Sequence, residues 1–219
     1  MINIGDVNTK VYIGDTEAKV YIGDELIYPS TIDWSTRHLT MTVVSGGTID
    51  WIKGASATEK VIEYSKDNGA NWTSITSTTQ GTQIQVSAGD VVIFRGNNSG
   101  YQQSGQDASA YRNGFQITSS TVVAAGNIMS MVNGDNFIGT TFSTFHAFAN
   151  FFFKCSGLQD VQNIVLPSST TTCCYLQMFY SCTTITTSPM LTAQTLNTQC
   201  YRSMFQNCVN LNYIKCTGN

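Results

Sequence analysis

The last third of the chain repeats one pattern three times. The copies are H-A-F-A-N-F-F-F-K-C-S-G-L at residues 146–158, C-C-Y-L-Q-M-F-Y-S-C-T-T-I at 173–185 and Q-C-Y-R-S-M-F-Q-N-C-V-N-L at 199–211. Cys155, Cys182 and Cys208 are equivalent, which gives steps of 27 and then 26 residues. A fixed step of this length predicts a solenoid, in which each coil buries its inner face against the next coil.

Inside one copy the apolar residues have helical spacing. In the third copy Tyr201, Met204 and Cys208 fall on one stripe of a short helix. The next segment, L-N-Y-I-K-C at 211–216, has the L-x-x-L-x-L spacing of a leucine-rich-repeat strand. The alignment places Phe152 with Met178 and Met204, and Phe148 with Tyr175 and Tyr201. The predicted core of the repeat consists of Phe148, Phe152, Cys155, Leu158, Tyr175, Met178, Cys182, Ile185, Tyr201, Met204, Cys208 and Leu211.

These residues carry a resemblance to a known family. The pattern C-Y-x-x-M-F-x-x-C-x-x-L resembles the bacterial surface-protein 26-residue repeat, a relative of the BspA-like leucine-rich repeats. The first copy departs from it, with Ala147 and Phe152 in place of the Cys and Met, as expected of a terminal, capping coil. The resemblance implies surface display and adhesion, and it implies no chemistry.

The composition restricts the class of protein. Only 11% of the residues are charged, the net charge is −3, and 42% are hydrophobic, so we expect a folded chain with a neutral polar surface. The chain has no cluster of Lys and Arg residues, so we expect it not to bind nucleic acid. The N-terminus lacks the pattern of a signal peptide, and no apolar run has the length of a membrane span, so we expect no membrane insertion.

The N-terminus contains a second, shorter repeat. I-G-D recurs at a step of nine residues, starting at Ile4, Ile13 and Ile22, with alternating strand-forming residues between the copies. A nonapeptide calcium repeat needs more glycines, so Asp6, Asp15 and Asp24 are predicted to be turn residues. Tandem I-G-D units that end in Y-P resemble the N-termini of virion proteins in crAss-like phages of gut bacteria. We expect residues 1–30 to form a β-repeat that anchors or oligomerises the protein.

Residues 37–125 read as a β-sandwich. Five alternating runs predict strands at 39–44, 48–52, 60–65, 82–86 and 90–95, and turns are predicted at 45–47, 67–69, 88–90 and 112–114. Ser65-x-Asp67-x-Gly69-x-x-Trp72 fits the Asp-box of sialidases and other β-proteins, which we interpret as a structural hairpin. Residues 126–219 form the third predicted domain, which begins with a short helix or turn near Met129 and a tight turn at Asn133-Gly134.

The seven cysteines, at positions 155, 173, 174, 182, 200, 208 and 216, all lie in the repeat. They admit three interpretations, namely stacked small apolar side chains, a disulfide framework or a zinc site. The odd count and the absence of a C-x-x-C pair favour the first. We therefore predict buried, reduced thiols and no metal.

Candidate catalytic residues are few. The two histidines, His38 and His146, stand at a strand start and among phenylalanines, where each reads as structural. The carboxylates of Asp50, Glu59, Glu63 and Asp67 show no pairing that suggests glycoside hydrolysis. We predict no catalytic, cofactor-binding or metal-binding residues, and a protein that is not an enzyme.

The sequence therefore predicts a mainly β protein with a C-terminal α/β solenoid, acting as a structural or adhesive component of a phage particle. A head fibre, a capsid decoration and a tail-associated protein all fit, with localisation in the virion. The expected partners are other virion proteins or further copies of the chain, with a trimer favoured. A host-surface glycan or protein could bind a face that carries Tyr175, Tyr180, Tyr201 and Tyr213. One alternative is an adhesin on the bacterial cell surface, and a weaker one is a carbohydrate-binding or carbohydrate-processing module.

The C-terminal end of the predicted solenoid carries one more expectation. Leu211, Ile214 and Cys216 belong to the last strand, and a final coil without a cap exposes its apolar inner face. We expect either another chain or further residues of a longer protein to cover this end.

Overall fold

The computed structural model describes residues 32–103, 105 and 108–217, together with short strands between residues 12 and 28. The chain divides into two compact units, residues 1–33 and residues 34–219. The strands of the first unit are β1 (Tyr12–Ile13), β2 (Thr16–Glu17), β3 (Val20–Ile22) and β4 (Glu25–Tyr28). β1 pairs with β2 and β3 with β4, both antiparallel. The predicted turn residues Asp6, Asp15 and Asp24 lie outside the described residues.

The second unit is built from two sheets and is mainly β, as the sequence predicted. Its strands are β5 (Leu39–Ser45), β6 (Gly47–Lys53), β7 (Val61–Ser65), β8 (Thr73–Thr76), β9 (Thr82–Val86), β10 (Val91–Gly96), β11 (Asn113–Gln116), β12 (Thr121–Asn127), β13 (Leu158–Val165), β14 (Thr187–Leu191) and β15 (Tyr213–Cys216). The larger sheet has the order β15-β14-β13-β12-β5-β10-β7-β8, and the smaller has the order β11-β6-β9. Together they form a sandwich-like fold.

All five strands predicted from alternating runs are present, as β5, β6, β7, β9 and β10. The turns at 45–47 and 88–90 carry the chain from one sheet to the other, since β5 and β10 lie in the larger sheet and β6 and β9 in the smaller. The predicted turn at 112–114 is wrong. Gly114 lies inside β11 and pairs with Ile52. A glycine occurs in this strand because β11 approaches the backbone of Phe151 so closely that a Cβ would not fit.

The larger sheet continues from the sandwich-like strands into the repeat. β12 pairs antiparallel with β5 on one side and parallel with β13 on the other. The parallel order then runs through β14 to β15. The predicted boundary between residues 125 and 126 falls inside β12, so the residues on both sides of it share one sheet and one compact unit.

A single large core fills this unit. Its central aromatic side chains, Trp51, Phe115 and Phe151, are fully buried and pack with ring centroids 5.1 to 6.0 Å apart. Trp51 lies on β6, Phe115 on β11 and Phe151 in the first copy of the repeat. The same cluster extends to Cys208 in the third copy. Burial of these rings therefore holds the sandwich-like strands and the repeat together.

The short helices predicted inside each copy are wrong. Among the described residues the one α-helix is α1 (Ser130–Asn133), near the predicted helix or turn at Met129, and Gly134 follows it with a φ of 56°. The copies instead form successive turns in which every fourth residue has a positive φ, as at His146, Asn150 and Lys154. A helix this short is marginal by itself, and bonds to the neighbouring copy replace its internal bonds.

Candidate functional site

The three copies are joined by backbone hydrogen bonds that follow the repeat step. The amide of Phe148 donates to the carbonyl of Cys174 over 2.8 Å, and the amide of Tyr175 donates to the carbonyl of Cys200 over 2.9 Å. Amides between them close turns within their own copy, as Ala149 does on the carbonyl of His146. Alternate residues thus bond to the next copy, and the others bond within their own copy.

Side chains form parallel stacks along the same direction. Phe148, Tyr175 and Tyr201 stack with interplanar angles of 11° and 7°. Phe152 stacks on Phe179, and Phe179 on Phe205, with angles of 5° and 1°. The alignment of Phe152 with Met178 and Met204 is therefore wrong by one residue. Phe151 is the first-copy equivalent of the two methionines, since Phe152 and Phe179 both precede the aligned cysteine by three residues.

The residues predicted as the repeat core lie inside the protein. Ten of the twelve are buried, and Tyr201 and Leu211 are partly buried. The latter two belong to the third copy, which among the three copies packs against the second alone. Burial therefore decreases toward the last copy, which has one neighbour instead of two.

All seven cysteines are free thiols. Cys155, Cys182 and Cys208 occupy equivalent positions in the three copies, and Cys174 and Cys200 are equivalent in the second and third. Cys182 donates to the carbonyl of Phe152 over 3.0 Å, and Cys208 to the carbonyl of Phe179 over 2.9 Å. Burial raises the pKa of the Cys155 thiol and of the Cys174 thiol to about 12, so both are protonated at neutral pH. Cys216, the last of the seven, is exposed. The thiols pack as small apolar groups that also donate weak hydrogen bonds.

The sandwich-like strands cover the first copy. The amides of Tyr101 and Phe115 donate to the carbonyls of Ala147 and Phe151 over 2.7 and 2.8 Å. Gly114 permits this approach, because a Cβ there would overlap the carbonyl oxygen of Phe151. The carbonyls of Ala147 and Phe151 thus accept amides of the sandwich-like strands, just as the equivalent carbonyls of the second copy, those of Cys174 and Met178, accept amides of the first copy.

Arg112 completes this cap and was not recognised in the sequence. Its guanidinium is buried and donates to the carbonyl of Asn150 over 3.2 Å. No carboxylate in the described part of the chain pairs with it, and burial lowers its pKa. Arg112 thus binds a backbone carbonyl of the first copy, a role that only the tertiary contact reveals.

A polar cleft of about 620 Å³ lies at the edge where β7, β10 and α1 meet. Arg95 forms its centre, with Nε 2.7 Å from Glu63 and Nη1 2.6 Å from Asp135. His38 Nε2 lies 2.8 Å from the other oxygen of Asp135. Burial acts against the charge of Arg95, but these two carboxylates outweigh it and raise the Arg95 pKa. The cleft is lined by Val61, Ile62, Glu63, Ser74, Arg95, Gly96, Asn97, Asn98, Asn133, Gly134, Asp135 and Asn136.

The cleft offers hydrogen-bond donors and acceptors. The Arg95 guanidinium pairs with the carboxylates of Glu63 and Asp135, and the His38 imidazole is hydrogen-bonded to Asp135. Burial acts to raise the pKa of Asp135, but the hydrogen bonds with His38 and Arg95 outweigh it and lower that pKa. The side-chain amides of Asn97 and Asn136 have no partner among the described residues and face this space. Such donors and acceptors suit a neutral, hydroxyl-rich ligand. The sequence suggested Glu63 and His38 only as separate candidates. Their contacts with Arg95 and Asp135 could not be predicted, because the four residues are far apart in the chain.

The Asp-box forms the predicted hairpin between β7 and β8. Ser65 Oγ donates to Asp67 Oδ1 over 2.6 Å, and the Asn71 amide donates to the same oxygen over 2.8 Å. Gly69 has a φ of 88° and lies against Trp72. The Arg95 guanidinium covers the Trp72 ring at 4.0 Å, so this ring face is not open for stacking. The hairpin reading is confirmed.

The remaining sequence candidates are dispersed. Asp50 lies on β6 and Glu59 in the loop before β7, and neither lines the cleft. His146 is buried in the first copy. Of the four tyrosines proposed for a binding face, Tyr175 is fully buried between copies, and Tyr201 is partly buried and stacks on Tyr175. Tyr180 stacks on Phe153 at 5.0 Å, and Tyr213 is 63% exposed. The predicted aromatic face is thereby reduced to Tyr180 and Tyr213.

Within residues 32–103, 105 and 108–217, no group of three or more His, Cys, Asp or Glu side chains is arranged to hold a metal ion. The same part of the chain contains no helix with the length and apolarity needed to cross a membrane. Comparison of the chain with protein-family models, curated proteins and solved structures found no match.

Proposed function

We propose that this protein is a structural and adhesive component of a phage particle, attached by its N-terminal strands and displaying the C-terminal repeat. A head fibre, a capsid decoration and a tail-associated protein are the three forms considered. The observation that carries the proposal is the division of the chain into a small N-terminal unit and one larger unit. An element that folds apart from the displayed body is suited to bind other virion proteins or sister chains, with a trimer favoured.

The displayed body has the construction of a rigid module. Its larger sheet runs without a break from β8 to β15, and the rings of the three copies stack nearly parallel. We infer that the stacked copies are coils of a solenoid related to leucine-rich repeats, with turns in place of the usual helices. Hydrogen bonds between copies at every second residue support this inference.

A role without catalysis is part of the proposal. Three of the titratable residues considered as catalytic candidates have structural partners. Glu63 pairs with Arg95, His38 with Asp135, and Asp67 bonds within its hairpin. These contacts fix the side chains in place, as expected of structural residues.

The attachment hypothesis is tested by removing residues 1–30. The shortened chain is expected to stay folded and soluble, because residues 34–219 form a compact unit with their own core. In cells infected by the phage that encodes it, the shortened chain should no longer appear in purified particles, while the full chain should. Normal incorporation of the shortened chain would contradict the anchor, and absence of the full chain from particles would contradict the virion assignment.

An adhesin on the bacterial cell surface is the alternative. The resemblance of the repeat to bacterial surface proteins favours it. Neighbouring genes separate the two hypotheses, since capsid and portal genes accompany a virion protein, whereas export or anchoring genes accompany an adhesin. Detection of the protein on intact bacteria in the absence of phage would favour the adhesin.

Glycan binding by the cleft is a weaker alternative with its own support. Asn97 and Asn136 present unpaired amides beside the Arg95 cluster. If the cleft binds a glycan, N97A and N136A should each weaken retention on a glycan array about tenfold, the loss of one or two hydrogen bonds. N163A on the exposed face of β13 serves as the control. If N97A, N136A and N163A were retained equally, the cleft would be excluded as the glycan-binding site.

A further inference from the structure

The third copy leaves a row of backbone donors unused. In the second copy the amides of residues 173, 175, 177, 179 and 181 each donate to a carbonyl of the third copy. Their equivalents in the third copy are the amides of Gln199, Tyr201, Ser203, Phe205 and Asn207. None of these five has an acceptor within the described residues. Five donors at alternate positions therefore point out of the end of the stack.

The side chains around this row are also incompletely covered. Tyr175, Phe179 and Ile185 of the second copy are fully buried, whereas their third-copy equivalents Tyr201, Phe205 and Leu211 are only partly buried. Ile214 is 54% exposed on β15, the edge strand of the larger sheet. We call the surface formed by these five amides and by Tyr201, Phe205, Leu211 and Ile214 the end face. It combines an open sheet edge with apolar side chains.

The hydrogen-bonding polarity of the end face restricts its occupant. The carbonyls of Gln199, Tyr201 and Ser203 already accept amides of their own copy, so the row offers donors and no matching acceptors. Two such faces brought together would oppose donor to donor, which disfavours a symmetric dimer of this chain. On the carbonyl side of the first copy, Ala147 and Phe151 already accept the amides of Tyr101 and Phe115, so a second chain cannot supply a complete row of acceptors from there.

We propose that the end face binds a further polypeptide segment with the same 26-residue pattern, which continues the stack. The segment must present backbone carbonyls at alternate residues across positions 199–207, place a strand parallel to β15, and cover Tyr201 and Phe205 with apolar side chains. A chain with the same 26-residue pattern meets these needs, because every copy carries carbonyls on the side opposite its amides. This addition of backbone hydrogen bonds at an open edge is a form of strand augmentation. It does not depend on whether the protein belongs to a virion.

The test uses the full chain and a synthetic peptide of residues 172–191 carrying C173A, C174A and C182A. Amide hydrogen exchange is measured by NMR with and without the peptide. Without it, the Tyr201 and Phe205 amides should exchange fast, whereas their bonded equivalents at Tyr175 and Phe179 should be protected. With it, exchange at Tyr201 and Phe205 should slow by about tenfold or more.

A matched pair of variants locates the contact. Ile214 and Tyr213 are neighbours on β15, so their side chains point to opposite sides of the strand. The equivalents of Ile214 in earlier copies, Val161 and Ser188, are buried. I214K should weaken peptide binding about tenfold or more through an unpaired charge at the contact, and Y213K should change it by less than about threefold.

Four results would overturn the proposal. The first is no protection of the third-copy amides by the peptide. The second is equal protection by a scrambled peptide, which would indicate a non-specific apolar patch. The third is the same protection by inorganic phosphate alone, which would indicate an anion site. The fourth is a concentration-dependent dimer in sedimentation that I214K abolishes, which would contradict the donor-to-donor argument.

Discussion

The amide of Phe115 donates to the carbonyl oxygen of Phe151 over 2.8 Å, and this bond joins the sandwich-like strands to the first copy of the repeat. Both rings are fully buried and lie 5.4 Å apart, centroid to centroid. The contact continues the bonding scheme of the repeat into a strand of different sequence. β11 therefore acts as the layer that precedes the first copy.

Gly114 should be intolerant of a side chain. A Cβ at this position would overlap the backbone carbonyl of Phe151, so G114A must separate β11 from the first copy or strain the backbone. We expect a loss of unfolding free energy of about 1–3 kcal/mol, in the range of overpacked cores, from urea denaturation. G100A is the control, because its Cβ would lie 3.2 Å from the Ala147 Cα, where a small shift suffices. Equal stability of wild type and G114A would refute the close approach.

The thiols should divide into one accessible group and six protected ones. Cys216 is exposed, and the other six cysteines are buried in the stack. A thiol reagent should therefore titrate one equivalent in the native protein, and seven after denaturation without reductant. C216S should remove the native equivalent and leave six on denaturation. A denatured count near one would show that the cysteines form disulfides.

Alkaline pH should destabilise the repeat. Burial raises the pKa of Cys155 and Cys174 to about 12, from an ordinary value of 9.0. In the unfolded chain these thiols ionise first, so their stabilisation is complete below about pH 9 and is lost as the pH rises towards 12. The urea midpoint should fall over this interval, and less steeply in C155A, whereas C216A should follow the wild type. If the urea midpoint of C155A fell with pH as steeply as that of the wild type, the raised pKa of Cys155 would be contradicted.

Acid should destabilise the protein through the hairpin between β7 and β8. Hydrogen bonds from Ser65 and Asn71 lower the Asp67 pKa to about 2, from an ordinary value of 3.8. A depressed folded pKa stabilises the protein above about pH 4, and this stabilisation is lost as the pH falls towards 2. D67N should therefore show a smaller drop in the urea midpoint between these values. E59Q, which removes an exposed carboxylate outside the hairpin, should keep the wild-type drop.

Several features could be predicted because they depend on neighbours along the chain. Alternation predicted β5, β6, β7, β9 and β10, since the side chains of a strand point to its two faces in turn. The Asp-box hairpin depends on bonds within seven residues, from Ser65 to Asn71. The repeat step predicted which cysteines would be equivalent, because a fixed step brings the same side chain to the same place in every copy.

Other features depended on contacts between distant segments. The apolar residues of each copy have helical spacing, but the copies form turns. Hydrogen bonds between copies, such as that from Phe148 to Cys174, stabilise these turns, and such bonds exist only after the copies stack. The convergence of Glu63, Arg95 and Asp135, and the cap formed by Arg112 on Asn150, join residues 32 to 40 positions apart. The sequence by itself determined the local strands, the hairpin and the period of the repeat. The tertiary structure alone decided how the copies bond and what covers the first of them, because backbone hydrogen-bonding groups carry no side-chain signature of their partner.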